Sequence, residues 1–266
     1  MIGSPVSHSL SPAIHNAAFR ANGMDWVYVA FDVAPGRAAQ ALEAMRVLGL
    51  RGLSVTTPHK EDVAAGVDAL APAAASLRSV NTVVVTKSGC LVGYSTDGDG
   101  VVAALAAAGT GVAGVVVAVV GAGAAGRSVI DAVERAGAAD IIVVNRSAAR
   151  AEEAARLAPA ARVGRPTDVV AADVVVNATS VGFDSDVVPF DTALLRPHQV
   201  VVDLVYHPLE TSLLQAARAA GCRVVDGLAT LVHQAVRQQE LWTGRRPDAS
   251  VMRGAALAEL ARRGTP

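Results

Sequence analysis

The residues with the clearest chemical purpose are Gly121-Ala122-Gly123-Ala124-Ala125-Gly126. Glycine at the first position permits a tight turn. At the third it has no Cβ, so a pyrophosphate can approach the main chain. At the sixth it lets a helix pack closely on a strand. The free N–H groups at the start of that helix, and their partial positive charge, suit phosphate oxygens. Gly- and Ala-rich chains produce this spacing by chance, so its context decides. Before it, residues 115–120 (VVVAVV) are an apolar run; after it come a helical pattern (Val129, Ile130, Val133, Ala136), Gly137 and a second apolar run at 141–144. Strand, glycine turn, helix, strand is the context that a dinucleotide-binding loop requires.

The end of the second run distinguishes two dinucleotides. An Asp or Glu there would accept a hydrogen bond from a ribose 2′-OH. This chain has Asn145-Arg146-Ser147 and then Arg150. Two guanidiniums can hold a 2′-phosphate in bidentate fashion, which favours NADP over NAD. The alternative is that Arg146 and Arg150 are solvated surface charges.

Four further segments group side chains that bind oxygen-rich ligands: Ser7-His8-Ser9-Leu10-Ser11-Pro12, Ser54-Val55-Thr56-Thr57-Pro58-His59-Lys60, Ser79-Val80-Asn81-Thr82 and Tyr94-Ser95-Thr96-Asp97-Gly98. The first precedes a helix, where two hydroxyls and free N–H groups suit a carboxylate. Hydride transfer to a ketone leaves an alkoxide that needs a proton. Lys60 can carry that proton, with a carboxylate such as Asp97 to hold its ammonium. Each residue also has a plainer role. Ser11 can cap its helix, Lys60 can open an exposed one, and Asn81 and Asp97 can satisfy turns. His8, His15, His59 and His233 have no metal-ligand spacing, so no metal is expected.

These residues need elements to position them. Ser11 reads as an N-cap with Pro12 at the first helical position, opening a helix to about Ala21. Residues 27–33 alternate like a strand, 35–48 are helical, 52–57 are a strand, and a helix starts at Lys60. Residues 80–86 and 90–94 read as a hairpin. Asp97-Gly98-Asp99-Gly100 reads as a break before a connecting helix at 101–108. From residue 115 strands and helices alternate, with strands also at 174–177, 200–204 and 223–225, which implies a parallel doubly wound sheet. An amphipathic helix follows Gly227, and a last helix covers about 250–261. The fold class is therefore α/β, with two domains. Residues 1–97 plus 227–266 form a substrate domain to which the C-terminal helices return, and 98–226 form a Rossmann cofactor domain.

Composition limits the remaining classes. The chain has 266 residues, is 52% hydrophobic but 3% aromatic, and has net charge −1. Its core must be built from Val, Ala and Leu, and no nucleic-acid surface is indicated. The most apolar segment is too short and too interrupted by glycine for a membrane span. Cys90 and Cys222 are too few for a disulfide framework, and a cytoplasmic protein is expected.

At these motifs the chain resembles the shikimate dehydrogenase family. SHSLSPAIHN, SVTTPHK, SVNT, STDG, GAGAAG, NRSAAR, NATSVG, DLVY and DGLATLVHQ follow in order along nearly its whole length. The resemblance implies NADPH-dependent reduction of 3-dehydroshikimate to shikimate, a step of aromatic amino-acid biosynthesis. By the same resemblance Ser9 and Ser11 hold the substrate carboxylate. Thr56, Lys60, Asn81 and Asp97 surround the ring hydroxyls, Lys60 transfers the proton with Asp97 as partner, and Tyr206 and Gln234 add contacts. Gly121, Ala122, Gly123, Ala124 and Ala125 match the pyrophosphate loop. Asn145, Arg146, Ser147 and Arg150 match the 2′-phosphate clamp, and Leu204 and Gly227 the nicotinamide side. Relatives occur as monomers and homodimers, and usually carry several residues before the position of Met1 that complete a first strand. Ser54 and Ser95 stand where many relatives have Asn. Two other activities fit the same motifs: dehydrogenation of quinate or aminoshikimate, and an NADP-binding sensor without turnover.

Overall fold

The computed structural model describes residues 1–264. The chain divides into two compact units, Met1–Thr96 with the chain from Gln234 onward, and Asp97–His233. Thr265 and Pro266, which the sequence assigns to the substrate domain, lie outside the described residues.

The first unit contains β1 (Ile2–Gly3), α1 (Ser11–Ala21), β2 (Phe31–Asp32), α2 (Ala38–Val47), β3 (Gly52–Ser54), α3 (Lys60–Gly66), β4 (Ala69–Leu70), α4 (Pro72–Leu77), β5 (Thr82–Val85) and β6 (Leu91–Tyr94). A mixed four-stranded sheet runs β3-β5-β6-β4. β5 and β6 form the expected antiparallel hairpin, with Thr82 opposite Tyr94 and Val85 opposite Leu91. β1 and β2 pair in parallel, Ile2 with Phe31. Ile2, Leu42, Met45, Leu53, Val55, Val63, Val83 and Leu91 make the core.

Several elements differ from their sequence patterns. Only Phe31–Asp32 of the alternating stretch 27–33 is strand, because β1 is just two residues long and offers no longer partner. Asp97-Gly98-Asp99-Gly100 does not break the chain. It is the first turn of α5 (Asp97–Ala107), where two carboxylates suit the positive end of the helix. Gly98 is there for contact, since a Cβ would meet Ser128 and Ala132. Ser11 is not an N-cap. Leu10 holds that position without a side-chain cap, and Ser9 Oγ accepts from Ser11 N at 3.2 Å.

The second unit continues with β7 (Val116–Val120), α6 (Ala124–Arg135), β8 (Asp140–Val144), α7 (Ala148–Ala155), β9 (Ala161–Gly164), β10 (Val174–Asn177), β11 (Val200–Asp203), α8 (Ser212–Ala219), β12 (Arg223–Val225) and the start of α9 (Gly227–Thr243). Its six-stranded sheet runs β12-β11-β10-β7-β8-β9 and is parallel throughout. Both faces are buried, which is why these strands read as unbroken apolar runs. Val117, Val119, Ile141, Val143, Val174 and Val176 point into one core with α5, α6 and α7. The alternate residues Ala118, Val120, Ile142, Val144 and Val175 point into the other, with Leu213 and Ala217 of α8. α9 and α10 (Ala249–Gly264) close the chain, and α10 packs along α1.

Candidate active site

In the second unit the site starts from the glycines. β7 ends at Val120, and Gly121 turns the chain at φ +111°. Its N–H donates to Val144 O at 2.8 Å, and a Cβ there would meet the Ala178 carbonyl. Gly126 abuts the Gly121 carbonyl, so any side chain would push α6 off β7. At Gly123, the residue before α6, a Cβ would meet nothing within 4 Å. No side chain caps the helix there. Open space facing an uncapped helix start is the arrangement a diphosphate requires. Gly123 and Ala124 are exposed, and Ala122 N donates to Asn145 Oδ1 at 3.2 Å, which ties the loop to the end of β8.

Asn145 in turn donates to Ser147 O at 3.0 Å, and Ser147 caps α7. Arg146 and Arg150 flank this turn on the surface. Neither guanidinium is in an ion pair among the described residues. Two uncommitted cations beside the glycine loop fit the extra phosphate of NADP.

A third part lies at the end of β11. Asp203 is fully buried. It accepts from Asn177 Nδ2 at 2.9 Å, Val205 N at 3.0 Å and Thr211 Oγ1 at 2.7 Å. Burial raises its carboxyl above the usual range, against these three donors. The bonds fix the turn Leu204-Val205-Tyr206. Gly227 packs on that turn, where a Cβ would meet the Leu204 and Val205 carbonyls. The structure therefore brings Leu204 and Gly227 together, 23 positions apart in sequence. Asp97 opens α5, whose next residue donates from Gly98 N to Ser128 Oγ on α6 at 2.8 Å.

In the first unit Ser9 and Ser11 adjoin at the start of α1. Thr56 follows β3, and its N–H donates to Ile2 O at 3.0 Å. Lys60 is the first residue of α3 and is partly buried; its carbonyl accepts from Val80 N at 3.0 Å. His59 points away, with Nε2 2.7 Å from Val33 O, so that nitrogen carries the hydrogen. Asn81 lies just before β5 and Gln234 is buried on α9.

A buried hydrogen-bond relay in this unit runs from Ser11 to Asn81. Tyr28 Oη donates to Ser54 Oγ at 2.6 Å and also meets the Ser11 hydroxyl. Ser54 donates to Gln238 Oε1 at 2.9 Å. Gln238 Nε2 donates to Thr82 Oγ1 at 2.9 Å, and Thr82 to Asn81 Oδ1 at 2.9 Å. Thr96 N donates to the same Oδ1 at 2.8 Å, while Asn81 Nδ2 donates to Thr96 Oγ1 at 2.9 Å. Asn81 Oδ1 is thus committed to the protein, which fixes the nitrogen as the donor end of the amide. Burial pushes the Tyr28 phenol above its ordinary range. Tyr28 and Gln238 escape a reading by motif. The available signal was that Gln238 follows Gln234 by four residues, on the same helix face.

A parallel sheet wound on both faces, with an open glycine loop at its central strand, defines a dinucleotide-binding protein of the Rossmann type. Comparison with known proteins narrows this. Residues 1–83 match the shikimate dehydrogenase substrate binding domain, 104–182 the shikimate/quinate 5-dehydrogenase family and 227–257 the shikimate 5′-dehydrogenase C-terminal domain. The chain is 46% identical to shikimate dehydrogenase (NADP⁺) of Symbiobacterium thermophilum, over 98% of this chain and 93% of that one. It resembles shikimate 5-dehydrogenase of Thermus thermophilus, solved with NADP(H) and shikimate, at 37% identity and TM-score 0.91 over 97% of each chain. It also resembles quinate dehydrogenase of Corynebacterium glutamicum, solved with NAD, at 35% identity and TM-score 0.88 over 97% of each. The chain belongs to the shikimate dehydrogenase family of oxidoreductases.

Proposed function

We propose that the chain catalyses the reversible, NADPH-dependent reduction of 3-dehydroshikimate to shikimate. The observation that carries this reading is the oriented Asn81 amide, locked by the relay that also reaches Ser11. A ligand bearing both hydroxyls and a carboxylate calls for such a pair of fixed points. In this reading residues 1–97 plus 227–266 hold substrate and 98–226 hold cofactor. Ser9 and Ser11 bind the carboxylate. Thr56, Asn81, Tyr206 and Gln234 orient the ring. The nicotinamide supplies or accepts the hydride when bound. Lys60 gives a proton to the oxygen being reduced and takes it back in the reverse direction, while Asp97 holds the ammonium. Gly121 to Ala125 receive the pyrophosphate, Asn145, Arg146, Ser147 and Arg150 the 2′-phosphate, and Leu204 and Gly227 the nicotinamide side. No helix of the described residues is long and apolar enough to cross a membrane. We place the protein in the cytoplasm, as a monomer or homodimer.

Absorbance at the reduced-nicotinamide band tests this with shikimate and quinate, each with NADP⁺ and NAD⁺. Fast reduction with shikimate and NADP⁺ alone is the expected result. Turnover of quinate, or use of NAD⁺, would move the protein toward the quinate branch. NADP⁺ binding with no turnover in any pair would make it a sensor.

A further inference from the structure

We propose that Arg263, in the last turn of α10, is a positioning residue for the turn that binds the substrate carboxylate. The inference rests on the role given above to Ser9 and Ser11. Arg263 lies 254 positions from Ser9 in sequence, yet its guanidinium grips the turn directly. Nη1 donates to His8 O at 2.6 Å and Nη2 to Ser9 O at 3.0 Å. Nε donates to Glu259 Oε1 at 2.7 Å, which holds the fork in place.

The turn needs such an anchor. Ser7 and His8 are exposed, and Ser9 is half-buried. Among the described residues, the other ties on residues 7–11 that hold this turn are Ser9 N to Val6 O at 3.1 Å, Ser11 N to Ser9 Oγ at 3.2 Å and, at the helical end, Ile14 N to Leu10 O at 3.1 Å. In a planar trans peptide the carbonyl and the following N–H point in opposite directions. Holding the His8 and Ser9 carbonyls therefore fixes the directions of the Ser9 and Leu10 N–H groups at the start of α1. It also fixes the Ser9 backbone from which the hydroxyl projects. A planar fork can serve two successive carbonyls at once; a lysine ammonium on its flexible stem does so far less well.

Arg262 supplies a matched control. It sits on the same helix end and donates to the same Glu259, at 2.8 and 2.7 Å. It makes no hydrogen bond with the turn among the described residues. The experiment compares Arg263→Ala, Arg263→Lys and Arg262→Ala in steady-state kinetics with shikimate and NADP⁺. Arg263→Ala should raise KM for shikimate about 10-fold, the size of one charge-assisted hydrogen bond. Its kcat and its KM for NADP⁺ should stay within about twofold of wild type. Arg263→Lys should recover only part of the loss, and Arg262→Ala should match wild type. Equal KM values in Arg263→Ala and Arg262→Ala would overturn the proposal. Hydrogen exchange gives a second reading that needs no turnover. The amides of residues 6–11 should exchange faster in Arg263→Ala than in Arg262→Ala, and equal rates would also overturn it. Wild-type protein inactive on shikimate would instead count against the proposed function, with the exchange result still deciding the clamp.

Discussion

The glycine loop of the second unit and the relay of the first solve the same problem by opposite means. The loop leaves space. Gly121, Gly123 and Gly126 fall within six residues, and what they offer is main-chain N–H groups and absent side chains. The relay fills space. Tyr28, Ser54, Gln238, Thr82, Asn81 and Thr96 come from five places in the sequence and offer side-chain donors with no slack. A diphosphate is flexible and highly charged, so N–H groups and a helix end suffice. A small ring with several hydroxyls needs each donor aimed, and aiming takes buried partners. Mutation of side chains should therefore damage the substrate side more than the cofactor side.

The largest effect should come from Lys60→Ala, which should lower kcat about 10²–10⁴-fold with NADP⁺ affinity unchanged in a fluorescence titration. Near-normal kcat would remove Lys60 from proton transfer. Next are Arg146 and Arg150, the side chains proposed to meet the 2′-phosphate. The double variant Arg146→Ala/Arg150→Ala should raise KM for NADP⁺ about 10–100-fold, as expected for loss of charge-assisted bonds, and leave KM for NAD⁺ unchanged. An unchanged preference would make both arginines plain surface charges.

Gln238→Leu cuts the relay at its centre. It strands Ser54 and Thr82, and urea unfolding should record a loss of about 3 kcal/mol. KM for shikimate should rise while KM for NADP⁺ stays put, because every residue of the relay lies in the first unit. The smallest effect is read through pH. His15 is fully buried, stacked on Tyr28 at 4.4 Å, and its ring nitrogens make no hydrogen bond among the described residues, although Gln239 and Gln238 lie alongside. Burial lowers its pKa from 6.5 to about 3. Below pH 6.5 the unfolded chain takes up a proton that the folded chain refuses, so stability falls as pH drops from about 6.5 toward 3. At pH 5 the loss from this group should be about 2 kcal/mol. His15→Phe should lose less stability than wild type between pH 7.5 and pH 5 in the same unfolding assay.

The same contrast explains what could be read from sequence. The strands of the second unit were legible because a sheet buried on both faces leaves continuous runs such as Val174–Asn177. The glycine loop was legible because its chemistry is local. β4 and α4 escaped because residues 67–79 (VDALAPAAASLRS) are Ala-rich and carry no clear period. The Asp97 segment misled because glycine usually marks a turn, and here Gly98 serves close packing within a helix. Ser11 misled because its neighbour's hydroxyl, at Ser9, takes the main-chain bond instead. The relay was hidden because its central bond, Ser54 to Gln238, spans 184 positions. The Ser54 hydroxyl is committed to Tyr28 and Gln238 inside the protein.

Trp242 donates from Nε1 to Val83 O at 3.0 Å, on the strand that begins at Thr82, and packs with His15 and Tyr28. The other tryptophan, Trp26, packs against Phe19 in the same unit. The chain has 2 tryptophans in all, and the second unit has none. Intrinsic emission is thus a label that reports one half of the molecule. A melting curve followed by tryptophan fluorescence records the first unit alone, whereas far-ultraviolet circular dichroism counts the helices of both. Any gap between the two curves would measure how independently the halves come apart.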